Sequence, residues 1–216
     1  MTAYTAPGDI ERESMRIISA QLEEMGITLP PECREVVLRA IHTTADFDYA
    51  KNLVFTPGAV EAGIQALKRG VPIVTDTNMA LSGINRAACS RLGVERYCYM
   101  ADPQVAQQAA ETGSTRAVAA VDRWAAEHPQ GIFAVGNAPT ALLRMAELME
   151  TGRLRPALVI AVPVGFVNVV ESKEEILHLC REKDIPIIAA MGRKGGSTVA
   201  AAICNALLYQ ASPRQM

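Results

Sequence analysis

Aromatic side chains are scarce in this sequence, and neither a long apolar run nor a long basic run occurs in it. Aromatic residues make up 5% of the 216 positions, with a single tryptophan. Half of the residues are hydrophobic all the same, so alanine, valine, leucine and isoleucine must provide most of the core. This composition is typical of a packed α/β protein and excludes a disordered chain.

The sequence also lacks the segments by which nucleic-acid-binding and membrane proteins are recognised. The net charge is −2 and no basic run exceeds two residues, so we expect no nucleic-acid partner. The longest apolar stretch, "LVIAVPVGFVNVV", has 13 residues and is too short to span a bilayer. The N-terminal segment "MTAYTAPGDIERESM" contains no apolar signal core. We therefore expect a soluble, cytoplasmic protein with no membrane partner.

The cysteine and histidine patterns exclude several kinds of site. The five cysteines are dispersed and form no CxxC pair, which is typical of reduced thiols in a cytosolic protein. No two of the three histidines have the spacing of metal ligands, so we expect no metal site. The nucleophile motif G-x-S-x-G is absent, and so are the glycine patterns of nucleotide-binding loops.

Short apolar segments alternate with helical segments from residue 57 onward. Continuous apolar runs of this kind are typical of strands buried on both faces of a parallel sheet. The five predicted strands are 71–76, 96–102, 131–136, 157–165 and 185–191. Each is followed by a helical pattern, and residues 8–41 predict two further helices. The sequence therefore predicts one domain over residues 1–216, a three-layer α/β/α fold with a mainly parallel five-stranded sheet.

The ends of the predicted strands are rich in glycine, proline, asparagine and threonine. They read "TDTNMA", "ADPQ", "GNAPT", "PVGF" and "MGRKGGS". In open α/β sheets, ligands bind outside the carboxyl ends of the strands. The sequence therefore predicts one composite crevice built from successive strand ends.

The segment "GRKGGST", residues 192–198, lies between a predicted strand and a predicted helix. Gly195 and Gly196 would let backbone N–H groups approach an anion at the helix start, where Arg193 and Lys194 add positive charge. The alternative is a tight strand-to-helix turn with solvated basic side chains. The residues alone leave both interpretations open.

Two further helix starts are suited to an anion. In "GNAPTALLR", Asn137 or Thr140 can cap the helix, or the backbone amides there can bind a carboxylate. Arg116 stands near the start of another predicted helix, where the helix dipole disfavours a cation. That position suits an arginine that reaches an anionic ligand, and it equally suits an ion pair with Glu111 or Asp122.

His42 is the one histidine in a polar, loop-like cluster, "IHTTADFDYA". His128 and His178 have the surroundings of surface residues. Imidazole changes its charge near neutral pH, so His42 is a candidate proton-transfer group. The alternative is a residue that merely ends a helix.

Five motifs of this chain resemble the precorrin-8X methylmutase family: "IHTTADFDYA", "TDTNMALSGIN", "GNAPTAL", "PVGFVNVVESKE" and "GRKGGSTVAAAICNALLY". The resemblance runs from "IERESMRII" to "NALLYQ" and is strongest to the branch of the anaerobic pathway, which acts on cobalt-precorrin-8. One departure is "FVNVVESKE", where the family pattern reads "FVGAAESKE". Asn168 and Val169 therefore change the local contacts, and not the reaction class.

The resemblance implies an isomerase of cobalamin biosynthesis. Its reaction is a suprafacial 1,5-sigmatropic shift of a methyl group from C-11 to C-12 of the macrocycle. The product is cobyrinic acid in the cobalt pathway and hydrogenobyrinic acid in the metal-free pathway. No cofactor is implied, and any cobalt is carried by the substrate. The alternative hypothesis is a non-catalytic tetrapyrrole carrier, because the same crevice would serve it.

The resemblance also assigns roles to residues and implies a homodimer. His42 is the implied catalytic acid and base, with Thr43, Thr44 and Asp46 able to orient its ring. The family's serine falls on Ser14, and its arginine falls on Arg116. The full predicted substrate-binding set is Ser14, Thr43, Arg116, Asn137, Thr140, Arg193, Lys194, Gly195, Gly196 and Ser197.

Overall fold

The computed structural model describes residues 7–212, which contain one six-stranded sheet. The strands are β1 Leu53–Phe55, β2 Ile73–Thr75, β3 Arg96–Tyr97, β4 Ile132–Val135, β5 Leu158–Ala161 and β6 Ile187–Ala190. Their order across the sheet is β1-β6-β5-β4-β2-β3, and every pair is parallel except β1 with β6. The single-domain organisation over residues 1–216 stays a prediction, since both chain ends lie outside the described residues.

Eleven helices occur in the described residues. They are α1 Pro7–Glu24, α2 Arg34–Thr44, α3 Tyr49–Asn52, α4 Ala59–Lys68, α5 Asn78–Gly83, α6 Arg86–Leu92, α7 Pro103–Thr112, α8 Arg116–Glu127, α9 Pro139–Glu150, α10 Val169–Glu182 and α11 Ser197–Ala211. The two helices predicted for residues 8–41 correspond to α1 and α2.

The three-layer α/β/α fold is confirmed by the way side chains alternate across the sheet. In β4, Ile132 and Ala134 pack into the apolar cluster under α2, α4 and α11. Phe133 and Val135 point to the opposite cluster, under α8, α9 and α10. Successive side chains of a strand face opposite sides, so a strand buried on both sides must be apolar throughout. This is why the parallel strands were recognisable as continuous apolar runs.

The predicted sheet was wrong in its strand count and in the length of one strand. β1 was missed because it has three residues and is held as an antiparallel edge strand by β6, with Leu53 opposite Ala190. The predicted strand 96–102 is a strand only at Arg96–Tyr97. The chain then turns, and the N–H group of Asp102 donates to the Tyr99 carbonyl at 3.0 Å.

The antiparallel direction of β1 brings residues 42–52 to the carboxyl edge of the parallel strands. Since β1 runs opposite to β6, its first residue lies beside the last residue of β6. The contact continues outward, where the Met191 N–H group donates to the Asn52 carbonyl at 2.8 Å. The polar cluster around His42 thus reaches the edge where the sequence predicts a ligand crevice.

The departure from the family pattern at Asn168 has a conformational explanation. Asn168 precedes the first residue of α10 and has a left-handed backbone, with φ of 55° and ψ of 15°. Glycine adopts this conformation without strain, and asparagine tolerates it better than most residues. An exchange of glycine for asparagine therefore preserves the entry of the chain into α10.

Candidate active site

Five segments meet at the carboxyl edge of the sheet. Four of them follow parallel strands: 76–77 after β2, 136–138 after β4, 162–168 after β5 and 191–196 after β6. The fifth is 42–52, which β1 carries to the same edge. In open α/β sheets this edge is where ligands bind. The predicted site residues of these segments are thus gathered on one side of the molecule.

His42 lies in the last turn of α2 with an exposed side chain. It borders a cavity of about 260 Å³ between α2, α5 and α11. The lining residues are Arg39, His42, Thr43, Met79, Gly83, Thr198, Ala201, Ala202 and Asn205. Among the described residues, no side chain or backbone group makes a hydrogen bond with the imidazole, so both ring nitrogens are accessible to a ligand.

Thr44 and Asp46 do not orient the imidazole, which corrects that expectation for these two residues. The Thr44 hydroxyl donates to the Ala40 carbonyl at 2.8 Å and accepts from the Asp46 N–H group at 3.2 Å. The Asp46 carboxylate instead meets Lys194. Of Thr43, Thr44 and Asp46, only Thr43 lines the cavity beside His42.

Lys194 links the segment 42–52 to the loop after β6. Its Nζ atom donates to the Asp46 and Asp48 carboxylates, at 2.6 Å each. The Lys194 hydrogen bond lowers the pKa of the Asp46 carboxyl, and the two aspartates raise the pKa of Lys194. The predicted contact between Lys194 and a substrate carboxylate therefore has to compete with two carboxylates of the protein itself.

Lys173 of α10 stabilises the loop 192–196, and its side chain is entirely buried. The Lys173 ammonium donates to the Gly192 and Lys194 carbonyls, at 2.8 Å each. Burial lowers the pKa of Lys173 to about 8. A buried ammonium is tolerated only where it is hydrogen-bonded, and these two carbonyls meet that need.

The glycines of this loop serve a close approach between chain segments. The Gly196 N–H group donates to the Val162 carbonyl at 2.8 Å, which corrects the expectation that it is free to meet a ligand. Gly195 has φ of 158°, and a Cβ atom there would lie 2.1 Å from the Val162 carbonyl oxygen. No larger residue fits, since a carbon atom cannot approach an oxygen so closely.

The carboxylate of Asp76 binds the turn "GNAPT", the helix start that the sequence predicts to suit an anion. The Asp76 carboxylate is 1% exposed and accepts from the N–H groups of Gly136, Asn137 and Ala138 at 2.7–2.8 Å. Burial raises the pKa of Asp76, and the three donors oppose that rise. The expectation that Asn137 or Thr140 caps α9 is wrong, because no side chain caps it.

The residues beside Asp76 join β2 to the start of α11. The hydroxyls of Thr77 and Ser197 lie 2.8 Å apart. Gly136 packs against Ser197 so closely that a Cβ atom would lie 2.8 Å from the Ser197 Cα atom. The strand ends of β2 and β4 and the first residue of α11 therefore form one rigid corner, with the Ser197 hydroxyl already bonded to the protein.

Arg116 forms no ion pair with a described residue, and its side chain is exposed at the first position of α8. Both acidic residues that could have paired with it have other partners. Glu111 accepts from Gln107 at 2.7 Å, and Asp122 accepts from Arg144 at 2.7 Å. The open alternative of an ion pair is thus removed, and an exposed arginine remains at a helix start.

Thr140 connects Arg116 to the turn that Asp76 holds. The Thr140 hydroxyl lies 3.3 Å from the hydroxyl of Thr115, the residue that caps α8. Asn137 is exposed in the same turn. Asn137 and Thr140 therefore belong to the turn after β4, and the hydroxyl contact of Thr140 brings the start of α8, where Arg116 lies, beside that turn.

Ser14 lies on α1, the helix that packs against α2. Helix α1 packs against α2 through an ion pair of Glu11 with Arg39 at 2.6 Å and a hydrogen bond from Arg34 to Ser19 at 2.7 Å. Ser14 stands between these two contacts and is not among the lining residues of the cavity. Its predicted contact with the substrate stays a prediction.

Exposed apolar side chains surround the same edge of the sheet. In the segment 162–168, Phe166 is 82% exposed and Val167 is 78% exposed, and Met79 of α5 is 66% exposed. The Arg193 guanidinium lies 5.4 Å from the centre of the Phe166 ring, within the range of a cation–π contact. Apolar residues grouped in this way mark an interaction site.

Residues 7–212 contain no group of three or more histidine, cysteine, aspartate or glutamate side chains placed to hold a metal ion. None of the helices between these limits combines the length and the apolar character that a membrane span requires.

Known proteins resemble this chain over nearly its whole length. The sequence profile of the precorrin-8X methylmutase family matches residues 9–210. A cobalt-precorrin-8 methylmutase of Salmonella typhimurium is 46% identical over 94% of this chain and 95% of its own. One of Leptospira interrogans is 44% identical over 95% and 94%. The chain belongs to the precorrin-8X methylmutase family.

The fold of this methylmutase also matches a solved member of the family. The crystal structure of a precorrin-8X methylmutase from Thermus thermophilus superposes with a TM-score of 0.82 at 40% identity, covering 94% of this chain and 97% of the other. The recognition of the family from its motifs is thereby confirmed, and so is the α/β class of the fold.

Sequence reasoning missed Asp76 and Lys173, the two buried charges of the methylmutase site. Asp76 directly follows a predicted strand, and its partners lie 60 to 62 positions further along the chain. Lys173 carried a detectable signal. It falls on the helical stripe that contains Val169, Ile176 and Cys180, all buried, so a lysine stands where an apolar residue is the norm.

We predict that Asp76→Asn destabilises the protein by about 2 kcal/mol. The two carboxylate oxygens accept hydrogen bonds from three N–H groups. The asparagine amide has one oxygen to accept them, and its NH₂ group would face N–H donors of the turn. Urea unfolding measures the loss. Asp184→Asn is the matched control, since Asp184 is exposed with a left-handed backbone that asparagine tolerates. Equal stability of the two variants would contradict the role of Asp76.

Proposed function

We propose that this methylmutase moves a methyl group from C-11 to C-12 of precorrin-8X or of its cobalt form, with His42 as proton donor and acceptor. The protein is an isomerase of cobalamin biosynthesis, in line with its family and with relatives named as methylmutases over almost their full length. The observation that carries the role of His42 is its exposed imidazole on the cavity between α2, α5 and α11.

Proton transfer by His42 accounts for what the site contains. A 1,5-sigmatropic shift needs no nucleophile. It needs a tautomer of the ring system in which the methyl group can move and the product is locked. Imidazole changes its charge near neutral pH, so it can give a proton to the macrocycle and take it back. An imidazole without a hydrogen-bond partner among residues 7–212 is free to approach a ring atom of the substrate.

The surroundings of His42 suit a large, flat ligand with several carboxylates. Arg116 and Arg193 are exposed and form no ion pair with a described residue, so both can meet a carboxylate. Phe166 and Met79 offer apolar surface to the faces of the macrocycle. We propose Ser14, Thr43, Asn137, Thr140, Gly195 and Ser197 as further substrate contacts, with Gly196 shaping the loop, since its N–H group already donates to the Val162 carbonyl.

We also propose that the reaction requires no cofactor and no metal bound by the protein. The sigmatropic shift is an isomerisation, which consumes no reductant, oxidant or second substrate. Any cobalt is carried by the substrate. A cytoplasmic location is proposed on the five free cysteines, four of them buried, which suit a reducing compartment.

His42→Ala should fold and bind the corrin product, and its turnover should fall by about two to four orders of magnitude, because only the proton donor is lost. Absorption spectra of precorrin-8X and of its cobalt form measure turnover, since the product has a different conjugated system. His178→Ala is the matched control, because that imidazole is 75% exposed on α10, and it should retain full activity.

Two outcomes would contradict the proposal. Near-normal turnover by His42→Ala would end the role of His42 as acid and base. A wild-type protein that bound the corrin and never converted it would instead support the non-catalytic carrier.

We propose a homodimer whose interface lies at or near the carboxyl edge of the sheet. A tautomerising ring must be shielded from water, and one subunit leaves this edge open, with Phe166 and Val167 exposed. A two-fold dimer is the commonest soluble assembly. Light scattering should give about twice the 23.2 kDa of one chain. A fully active species with the mass of one chain would refute the dimer.

A further inference from the structure

Lys173 is a buried cation that the proposed reaction does not use. It is 0% exposed, and within the described part of the chain its ammonium bonds to two backbone carbonyls, those of Gly192 and Lys194. Burying a charge is costly, and an apolar residue would serve the packing of α10 as well. A lysine at this position therefore calls for a reason beyond the core.

The two carbonyls that Lys173 holds flank a single residue, Arg193. The carbonyl of Arg193 itself accepts from the Gly165 N–H group at 3.2 Å. Three consecutive carbonyls are thus fixed by donors from α10 and from the loop after β5. The backbone of Arg193 has one conformation as long as these donors are in place.

Arg193 is the basic residue of this loop that is available to a ligand. Its neighbour Lys194 is bound by Asp46 and Asp48. Arg193 is exposed and has no ion pair with a described residue, and its guanidinium lies over the ring of Phe166. The direction in which this guanidinium points depends on the backbone that Lys173 holds.

We propose that Lys173 is a positioning residue for substrate binding, which holds the peptide of Arg193 so that the guanidinium is presented to a substrate carboxylate. The inference rests on the proposed function, because it takes the substrate to be the carboxylated macrocycle. Lys173 itself does not touch the substrate, since its side chain is fully buried.

The test is a double-mutant cycle of Lys173→Met and Arg193→Gln. Methionine has a similar length and cannot donate to the carbonyls of Gly192 and Lys194. Each single variant should raise KM for precorrin-8X about tenfold, with kcat little changed, because a charge-assisted contact to the substrate is lost. The double variant should raise KM no further than Lys173→Met alone, since Arg193 is then already misplaced.

Lys183→Met is the matched control, because Lys183 follows α10 at its surface and should leave KM unchanged. A double variant with a KM about a hundredfold above wild type would mean independent effects and would overturn the proposal. So would a Lys173→Met enzyme with normal KM, or an Arg193→Gln enzyme with normal KM. Should Lys173→Met not fold, Lys173→Gln replaces it, since its shorter side chain cannot reach both carbonyls.

A second readout separates this inference from the proposed function. In the free protein, Lys173→Met should speed amide exchange at Gly165 and Gly196, whose N–H groups bind across the same loop. A wild-type protein without turnover would contradict the proposed function, and the cycle would then be measured on affinity for the corrin. Unchanged exchange at both glycines would overturn the role of Lys173.

Discussion

A buried carboxylate that accepts three backbone N–H groups fixes the point where two strands of the sheet end. Asp76 at the end of β2 holds the residues 136–138 after β4, and the adjacent Thr77 hydroxyl holds Ser197 at the start of α11. An ionised group desolvated to this degree is stable only when such donors surround it. The turn that carries Asn137 and Thr140 depends on this corner for its position.

Lys173 is a buried cation that stabilises the loop after β6, as the buried anion Asp76 stabilises the turn after β4. Its ammonium satisfies carbonyls, whereas the Asp76 carboxylate satisfies N–H groups. Backbone N–H groups that the sequence offered to a substrate are therefore bonded within the protein, those of 136–138 to the Asp76 carboxylate and that of Gly196 to the Val162 carbonyl. Exposed side chains remain for the ligand, among them the imidazole of His42 and the guanidinium groups of Arg116 and Arg193. The site is therefore preformed, because the backbone around it is hydrogen-bonded within the protein before the substrate binds.

The sequence allowed the parallel strands and the family to be predicted, since each has a local pattern or an ordered motif, and the roles of the exposed site side chains stay predictions. β1 escaped prediction because its pairing is imposed by β6 and not by its own three residues. The sequence also could not predict which backbone N–H groups are free to bind a ligand. Whether the amides of residues 136–138 are free depends on Asp76, 60 or more positions away in the chain. Only the packed structure brings such partners together.

The carboxylate of Asp76 binds the amides of the turn after β4 before any substrate is present. Amide hydrogen exchange at Gly136, Asn137 and Ala138, measured in the free protein and with bound corrin product, tests this. We expect slow exchange at all three residues in the free protein, with little change on binding. Fast exchange in the free protein that becomes slow only with the corrin would contradict it, because those amides would then belong to the ligand.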